Sequence, residues 1–128
     1  MTPPTRRVLV VEDDTTMREL LEEVMSDEGY EVRVASNGGD GLEVMEQWAP
    51  DLVLLDLMMP FMDAYEMREH QRLAGSTAAT RILLLTAARD VEAAAARIGA
   101  DAWLAKPFTL ADISTTVRHL LEDRPDAR

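Results

Sequence analysis

Three runs of consecutive apolar residues stand out in the hydrophobic pattern of the chain: Val8–Val11, Leu52–Leu55 and Ile82–Leu85. Uninterrupted apolar runs of this length are typical of strands that are buried on both faces, as in a parallel sheet. The segment Glu31–Ala35 alternates between polar and apolar residues, which predicts a strand at a sheet edge. A weaker apolar segment, Ala102–Ala105, predicts a fifth strand.

Helices are predicted where apolar residues recur at helical spacing between and after these strands. Residues that commonly cap or stop helices stand at their ends. The predicted helices run from Asp14 or Thr15 to Gly29, from Asn37 to Pro50, from Asp63 to about Ala74, from Asp90 to Gly99 and from Thr109 to about Leu121. Strands and helices that alternate in this way predict an α/β sandwich with a parallel sheet.

Some of these helices have an apolar face that is less clear in the sequence. The thin apolar stripe of the third helix consists of Met62, Tyr65 and Leu73. The alanine run Ala93–Ala96 predicts a packed face on the fourth helix, and Leu110 begins the predicted buried stripe of the fifth. Gly41 lies inside the second helix, where glycine costs about 1 kcal/mol relative to alanine.

Composition adds the class of protein. A chain of 128 residues with 47% apolar and 29% charged residues predicts one globular domain. We expect residues 1–6 to be a disordered lead-in, residues 7–122 the domain, and residues 123–128 a polar tail or linker. The absence of cysteine excludes disulfides and cysteine–zinc sites. Neither a membrane span nor a secretory signal is predicted, so we expect a cytoplasmic protein without membrane contact.

Polar residues follow four of the predicted strands where each strand ends. They are Glu12–Asp14 after the first, Asp56 at the third, Thr86 at the fourth and Lys106 after the fifth. The carboxyl ends of parallel strands meet at one edge of a sheet, so we expect these side chains to lie together. Converging carboxylates repel one another unless a cation lies among them, and oxygen ligands suit Mg²⁺. A lysine and a hydroxyl group would bind an anion, which favours a phosphoryl group beside a metal, with Asp56 as the nucleophile.

Each of these features has a plainer interpretation. Acidic residues after a strand are more often a solvated turn and helix cap, a threonine at a strand end is commonly a β-former, and Lys-Pro is mostly a turn. Four strand ends that each carry a residue suited to one reaction favour the shared site. The formal net charge of −11 argues against nucleic-acid binding by this domain, because such binding depends on neutralising phosphates with Lys and Arg.

The chain resembles the receiver domain of two-component response regulators from about Arg7 to Glu122. The motifs that carry the resemblance are Val10–Asp14, Asp56–Asp63, Leu85–Ala87, Gly99–Asp101 and Lys106–Phe108. The resemblance implies a flavodoxin-like doubly wound (βα)5 three-layer sandwich, with a five-stranded parallel sheet in the order 2-1-3-4-5. It also implies a bacterial signalling protein rather than an enzyme, apart from its part in its own phosphorylation and slow autodephosphorylation.

The resemblance also implies the chemistry of the site. Asp56 would accept a phosphoryl group from the phosphohistidine of a histidine kinase or a histidine phosphotransfer protein. Asp13, Asp56 and the backbone carbonyl of Met58 would bind Mg²⁺, and Glu12 would hold the ion through water. Lys106 would pair with the phosphoryl oxygens.

Signal output is implied in the same way. Thr86 would move to hydrogen-bond the phosphoryl group, and Trp103 occupies the aromatic switch position. Together they would alter the face formed by the fourth helix, fifth strand and fifth helix, which could support a phosphorylation-dependent homodimer. The Lys106–Pro107 peptide is cis in the family. The kinase partner, the output domain and the regulated process stay open.

The chain departs from the family pattern at several positions. Ala64 replaces a common glycine, which costs strain if the backbone there is left-handed. The segment from Thr86 to Lys106 is a couple of residues short, and Trp103 is bulkier than the usual Tyr or Phe. Met58 and Ala88 flank the path of the attacking water and cannot orient it, which predicts a slowly hydrolysing aspartyl phosphate.

Two other functions stay open. The first is a hydrolase with an aspartyl nucleophile, which typically carries a second acid two residues after the nucleophile; Met58 in that position counts against it. The second is a receiver-like docking module that binds its partner independently of phosphorylation. The complete set of acids, threonine and lysine argues against the docking module, while the shortened output segment keeps it open.

Overall fold

The computed structural model describes residues 5–57, 63–74, 80–87 and 89–122, with residues 71–74 described in backbone only. Strands and helices alternate along this part of the chain. The strands are β1 (Arg7–Val11), β2 (Glu31–Ala35), β3 (Leu52–Asp56), β4 (Arg81–Thr86) and β5 (Ala102–Ala105). The helices are α1 (Thr15–Asp27), α2 (Gly38–Trp48), α3 (Ala64–Ala74), α4 (Val91–Ile98) and α5 (Leu110–Glu122). None of the helices in the described part of the chain has the length and apolar composition that a membrane span requires.

The strands form one parallel sheet in the order β2-β1-β3-β4-β5. Val8 of β1 pairs with Val32 of β2 on one side and with Leu52 of β3 on the other. This flavodoxin-like order confirms the predicted fold. β2 lies at one edge, as its alternating pattern predicted, and β5 lies at the other. The carboxyl ends of all these strands therefore meet at one edge of the sheet.

Helices cover both faces of the sheet, which explains the unbroken apolar runs of its inner strands. Leu9 of β1 belongs to a buried cluster with Met45, on the side of α2, α3 and α4. The next residue, Val10, belongs to the opposite cluster, with Leu21 of α1 and Ile113 of α5. Each fully buried aliphatic side chain of this kind contributes roughly 2 kcal/mol of transfer free energy.

Most helix ends use the predicted capping residues. The side-chain caps are Asp14 on the N–H of Met17, Asn37 on that of Asp40, Asp63 paired with Glu66, and Thr109 paired with Asp112. α4 begins after Asp90 without a side-chain cap, and Gly99 ends it in the left-handed conformation at φ 78°. Ala49, at φ 53°, takes the left-handed position after α2, where glycine is the usual residue.

Several packing predictions were wrong in detail. Among the α3 side chains that the structure describes, residues 64–70, the buried ones are Ala64 and Met67, neither of which was predicted, while Tyr65 is partly buried and packs against the same core. In the alanine run, Ala94 and Ala95 are buried while Ala93 and Ala96 are exposed, because four consecutive residues span more than one face of a helix. Leu110, the first residue of α5, is 42% exposed, whereas Ile113, Val117 and Leu121 of the same predicted stripe are buried. Met62 and the side chain of Leu73 lie outside the described part of the chain, so their positions in the stripe stay predictions.

Close packing accounts for the glycine inside α2. A Cβ atom at Gly41 would lie 2.9 Å from Cγ2 of Val11 and 3.4 Å from Cε of Met67. The first distance is shorter than real Cβ contacts, and Val11 is fully buried. Glycine at this position therefore allows α2 to pack closely against β1, which accounts for a residue that is otherwise unfavourable in a helix.

The division of the chain into lead-in, domain and tail stays a prediction, because residues 1–4 and 123–128 lie outside the described residues.

Candidate functional site

The predicted polar residues come together at the carboxyl edge of the sheet. Glu12 follows β1, Asp56 ends β3, Thr86 ends β4 and Lys106 follows β5. Asp56 pairs in register with Leu85, the residue before Thr86. The backbone N–H of Lys106 donates to the carbonyl of Thr86 at 2.8 Å, which fixes the start of the loop after β5. The Lys106–Pro107 peptide bond is cis.

A single ammonium group lies between two buried carboxylates. Nζ of Lys106 is 3.5 Å from Oε1 of Glu12 and 3.5 Å from Oδ1 of Asp56. The carboxylate side chains are only 2% and 11% exposed, respectively, whereas that of Lys106 is 26% exposed. Lys106 is the only lysine in the chain. Removal of this group would leave buried negative charge without its nearest cation.

Glu12, Asp13 and Asp56 form a compact cluster of acids. Each offers a carboxylate oxygen, and these three oxygens all lie within 4.8 Å of one another. Glu12 and Asp56 are buried, while Asp13 is exposed to solvent. Three carboxylate oxygens with an open side toward water are ligands of the kind that Mg²⁺ prefers, because this ion usually keeps several waters. The donor set therefore fits a magnesium ion.

The electrostatics of the cluster point the same way. Burial, followed by the charge of Glu12, raises the pKa of Asp56 from 3.8 to about 6, and Lys106 opposes this shift. Burial is also the main cause of the raised pKa of Glu12, which Lys106 and a hydrogen bond from the backbone of Asp14 oppose. The ionised cluster is thus unfavourable on its own, and a bound divalent cation would relieve it.

Hydrogen bonds hold the loop between β1 and α1 that carries the acids. The backbone N–H of Asp14 donates to Oε2 of Glu12 at 3.2 Å. One carboxylate oxygen of Glu12, Oε2, therefore faces the loop, and the other, Oε1, faces Lys106. The guanidinium group of Arg18 donates to the backbone carbonyls of Glu12 at 3.0 Å and Asp13 at 3.4 Å. Sequence reasoning missed Arg18, whose contacts follow from the path of the loop rather than from a motif.

The predicted switch residues lie on neighbouring strands. Thr86 is buried, with 2% exposure, while Trp103 of β5 is 38% exposed. Trp103 pairs in register with Leu84, two residues before Thr86. Beside Trp103 lies a cleft of about 330 Å³, lined by residues 89–93 at the start of α4. With eight residues, α4 is the shortest of the helices in the described part of the chain.

Of the remaining predicted positions near the site, Ala64 lies among the described residues. Met58 and Ala88 lie outside the described residues. Ala64 is the fully buried first residue of α3, and its N–H donates to the carbonyl of Leu57 at 3.2 Å. Its φ is not positive, so the strain considered for an alanine there does not arise.

Comparison with known proteins identifies the family. The response regulator receiver domain family matches residues 8–118, which run from β1 into α5 and include the acids, Thr86 and Lys106. The chain belongs to the receiver domain family of response regulators. Receiver domains are signalling domains of bacterial two-component systems rather than classical enzymes.

Individual relatives agree with this assignment. The chain is 38% identical over 123 residues to the response regulator MprA of Mycobacterium leprae, covering 94% of this chain and 53% of that protein. This receiver domain thus spans about half the length of the curated relatives it matches.

Solved structures are similar over almost the whole chain. A putative response regulator from Chloroflexus aurantiacus is 35% identical with a TM-score of 0.84, covering 93% of this chain and 99% of that structure. The chemotaxis protein CheY4 of Vibrio cholerae is 28% identical with a TM-score of 0.84, covering 92% and 100%.

Proposed function

We propose that this receiver domain is a phosphoryl-accepting switch in which Asp56 is the acceptor. The observation that carries the proposal is the position of the Asp56 carboxylate, within 4.8 Å of two further carboxylate oxygens and 3.5 Å from Nζ of Lys106. A nucleophile, a cation site and a fixed ammonium group are the parts that phosphoryl transfer requires. The donor is the phosphohistidine of a histidine kinase or of a histidine phosphotransfer protein.

The transfer itself needs little covalent chemistry from the protein. An oxygen of ionised Asp56 attacks phosphorus, and the P–O bond forms as the P–N bond of phosphohistidine breaks. The electron pair of that bond stays on the leaving imidazole, which departs as neutral histidine when its other ring nitrogen is already protonated. With a pKa of about 6, Asp56 is mostly ionised at neutral pH. Lys106 pairs with the phosphoryl oxygens, where it offsets negative charge.

Magnesium dependence is part of the proposal. Asp13 and Asp56 would hold the ion directly, Glu12 would hold it through water, and the backbone carbonyl of Met58 would complete the set. When bound, magnesium supplies positive charge against the phosphoryl oxygens. The buried, mutually repelling acids support this role, because they favour a divalent cation.

The proposed output runs through Thr86 and Trp103. Thr86 hydrogen-bonds the acquired phosphoryl group, and Trp103 responds by changing its position at the face formed by α4, β5 and α5. A phosphoryl group adds about −1.5 to −2 charges, enough to bias a two-state element. The half-exposed Trp103 beside the cleft at the start of α4 supports this route. The altered face would serve a partner or a second copy of the chain.

The setting of the domain is proposed from the same chemistry. Histidine kinases are phosphorylated with ATP in the cytoplasm, so we place the domain there. We propose that residues 7–122 form one unit. Direct nucleic-acid binding by this domain is not proposed, since its net charge is −11. Met58 and Ala88 cannot orient an attacking water, so autodephosphorylation is slow.

Incubation with acetyl phosphate and Mg²⁺, followed by intact-mass measurement, tests the proposal without a kinase. The wild type should gain one phosphoryl group, and chelation of the metal should prevent the gain. Asp56→Asn should gain none. Asp14→Asn is the matched control, because Asp14 caps α1 and asparagine keeps that cap. Phosphorylation of Asp56→Asn at the wild-type rate, or of neither protein, would contradict the proposal and favour a phosphorylation-independent docking module.

A further inference from the structure

Arg18, in the first turns of α1, contacts the main chain of the acidic loop rather than a carboxylate partner. Nη1 donates to the carbonyl oxygen of Glu12 at 3.0 Å and lies 3.4 Å from that of Asp13. Nη2 lies 3.5 Å from Oγ1 of Thr15. The guanidinium group therefore joins two successive carbonyls of the loop to the first turn of α1.

The carbonyls that Arg18 contacts lie on both sides of Asp13. They belong to the peptide units that set the direction of the Cα–Cβ bond of Asp13. Among the described residues, no hydrogen bond to the Asp13 carboxylate is found, in contrast to Glu12 and Asp14, whose carboxylates accept backbone N–H groups. The direction of the Asp13 carboxylate thus depends on its backbone, which makes Arg18 important for the cation site.

We propose that Arg18 is a positioning residue that holds Asp13 in line with Glu12 and Asp56, and so sets the affinity of the site for a divalent cation. The inference rests on the proposed function, which requires that cation. Arg18 does not touch the reacting atoms in this account. It acts through the main chain, by keeping the loop in one conformation before the cation arrives.

The shape of the guanidinium group matters for this role. Its two terminal nitrogens reach the carbonyls and the Thr15 hydroxyl at the same time, which a fixed planar fork allows. A lysine offers a point charge on a flexible stem and can satisfy only part of this set.

Calorimetric titration with Mg²⁺ alone tests the inference directly. Arg18→Ala should weaken Mg²⁺ binding about tenfold, the effect expected when one or two hydrogen bonds that preorganise a site are lost. Arg18→Lys should fall between Arg18→Ala and the wild type. The matched control is Arg118→Ala on α5, which removes a guanidinium group 3.4 Å from Glu28. Its Mg²⁺ affinity should stay within about twofold of the wild type, because Glu28 is not part of the acid cluster.

Two further measurements separate positioning from a general loss of stability. In metal-free protein, the amide hydrogens of Asp14 and Met17, whose bonds hold the loop, should exchange faster in Arg18→Ala than in Arg118→Ala. With acetyl phosphate as the donor, the phosphorylation rate of Arg18→Ala should return to within about twofold of the wild type at saturating Mg²⁺. A structural effect alone would lower the unfolding temperature and the reactive fraction without changing Mg²⁺ affinity.

If Arg18→Ala binds Mg²⁺ with the affinity of the wild type and its loop amides exchange at the wild-type rate, the inference is overturned. Full rescue by Arg18→Lys would overturn its dependence on the guanidinium fork. If only the proposed function is wrong, the wild type will bind Mg²⁺ but will not accept a phosphoryl group. A loss of Mg²⁺ affinity in Arg18→Ala would then still support the role of Arg18. A wild type that binds no Mg²⁺ would overturn both.

Discussion

Nζ of Lys106 lies 3.5 Å from Oδ1 of Asp56, although β4 separates their strands in the sheet. The lysine side chain crosses the end of β4 and also reaches Glu12, which follows β1. The buried negative charges at this edge of the sheet therefore share the only lysine of the chain. Burial is the main cause of the raised pKa of Asp56, and the charge of Glu12 adds to it. Because one ammonium group does not offset two buried carboxylates, the cluster favours a divalent cation.

Asp56→Asn is predicted to stabilise the metal-free protein at neutral pH. Burial and the charge of Glu12 raise the pKa of Asp56 from 3.8 to about 6 in the folded protein. The folded state then binds the proton more tightly than the unfolded state, so this group lowers stability as the pH rises from about 4 to about 6. The variant should be about 3 kcal/mol more stable than the wild type above that range, and equal to it below about pH 4.

Urea unfolding in the presence of a chelator, repeated across this pH range, measures the difference. Asp14→Asn serves as the control, because Asp14 is an exposed residue outside the acid cluster and asparagine keeps its cap on α1. A pH-independent difference between wild type and Asp56→Asn would contradict the argument from burial. Saturating Mg²⁺ should reduce the advantage of Asp56→Asn, because bound metal stabilises the ionised wild-type site.

Lys106→Met is predicted to tighten Mg²⁺ binding. The lysine and the metal compete for the same carboxylates, and removal of one positive charge raises the negative potential of the cluster. We expect the dissociation constant to fall about tenfold in titration calorimetry. Lys106→Arg keeps the charge and should leave Mg²⁺ affinity near the wild-type value. Weaker binding in Lys106→Met would show that the lysine holds the acids in place more than it competes for them.

Trp103 fluorescence is predicted to change when the protein binds beryllofluoride and Mg²⁺, a stable mimic of an acyl phosphate. The second tryptophan, Trp48, is buried. The guanidinium groups of Arg7 and Arg33 lie 5.4 and 4.8 Å from the centre of its ring. Since Arg7 begins β1, this contact lies at the end of the sheet opposite the edge that carries Asp56. Trp48 should therefore contribute little change. Calorimetry should show that Trp103→Phe still binds beryllofluoride, while its fluorescence response is lost. Sedimentation of the activated wild type would show whether it dimerises. Binding by the wild type without a response would refute the coupling assigned to Trp103.

The aspartyl phosphate is predicted to hydrolyse slowly. Neither Met58 nor Ala88 offers a group that could orient water for attack on the phosphoryl group. Met58→Asn should shorten the lifetime, because an amide can hold a water by hydrogen bonds. Loss of the phosphorylated mass after removal of the donor measures the lifetime. A wild-type half-life of seconds would contradict the prediction.

Most of the fold could be predicted because its signals are local. The apolar runs at Val8–Val11 and Ile82–Leu85 have helices on both sides, and such strands leave an unbroken pattern in the sequence. The capping residues Asp14 and Asn37 act on N–H groups three residues away, so the sequence alone places them. Gly99 ends α4 in the left-handed conformation for the same kind of local reason.

Other features depend on tertiary structure and left no such signal. The approach of Gly41 to Val11 depends on how closely α2 packs on β1. The buried position of Met67 depends on which side of α3 faces the sheet. Arg18 contacts backbone carbonyls, which every residue carries, so no motif could indicate its role. Ala49 adopts the left-handed conformation at φ 53°, although glycine is the usual residue there, so its residue type did not indicate this backbone.

Borohydride trapping tests the central claim most directly, because an acyl phosphate on aspartate is reduced to homoserine while a free carboxylate is not. The protein would be treated with acetyl phosphate and Mg²⁺, reduced, digested and sequenced by mass spectrometry. We predict homoserine at position 56, and none when the metal is chelated. Unmodified Asp56 in a protein that has gained a phosphoryl group, or homoserine at Asp13 instead, would contradict the assignment of Asp56 as the acceptor.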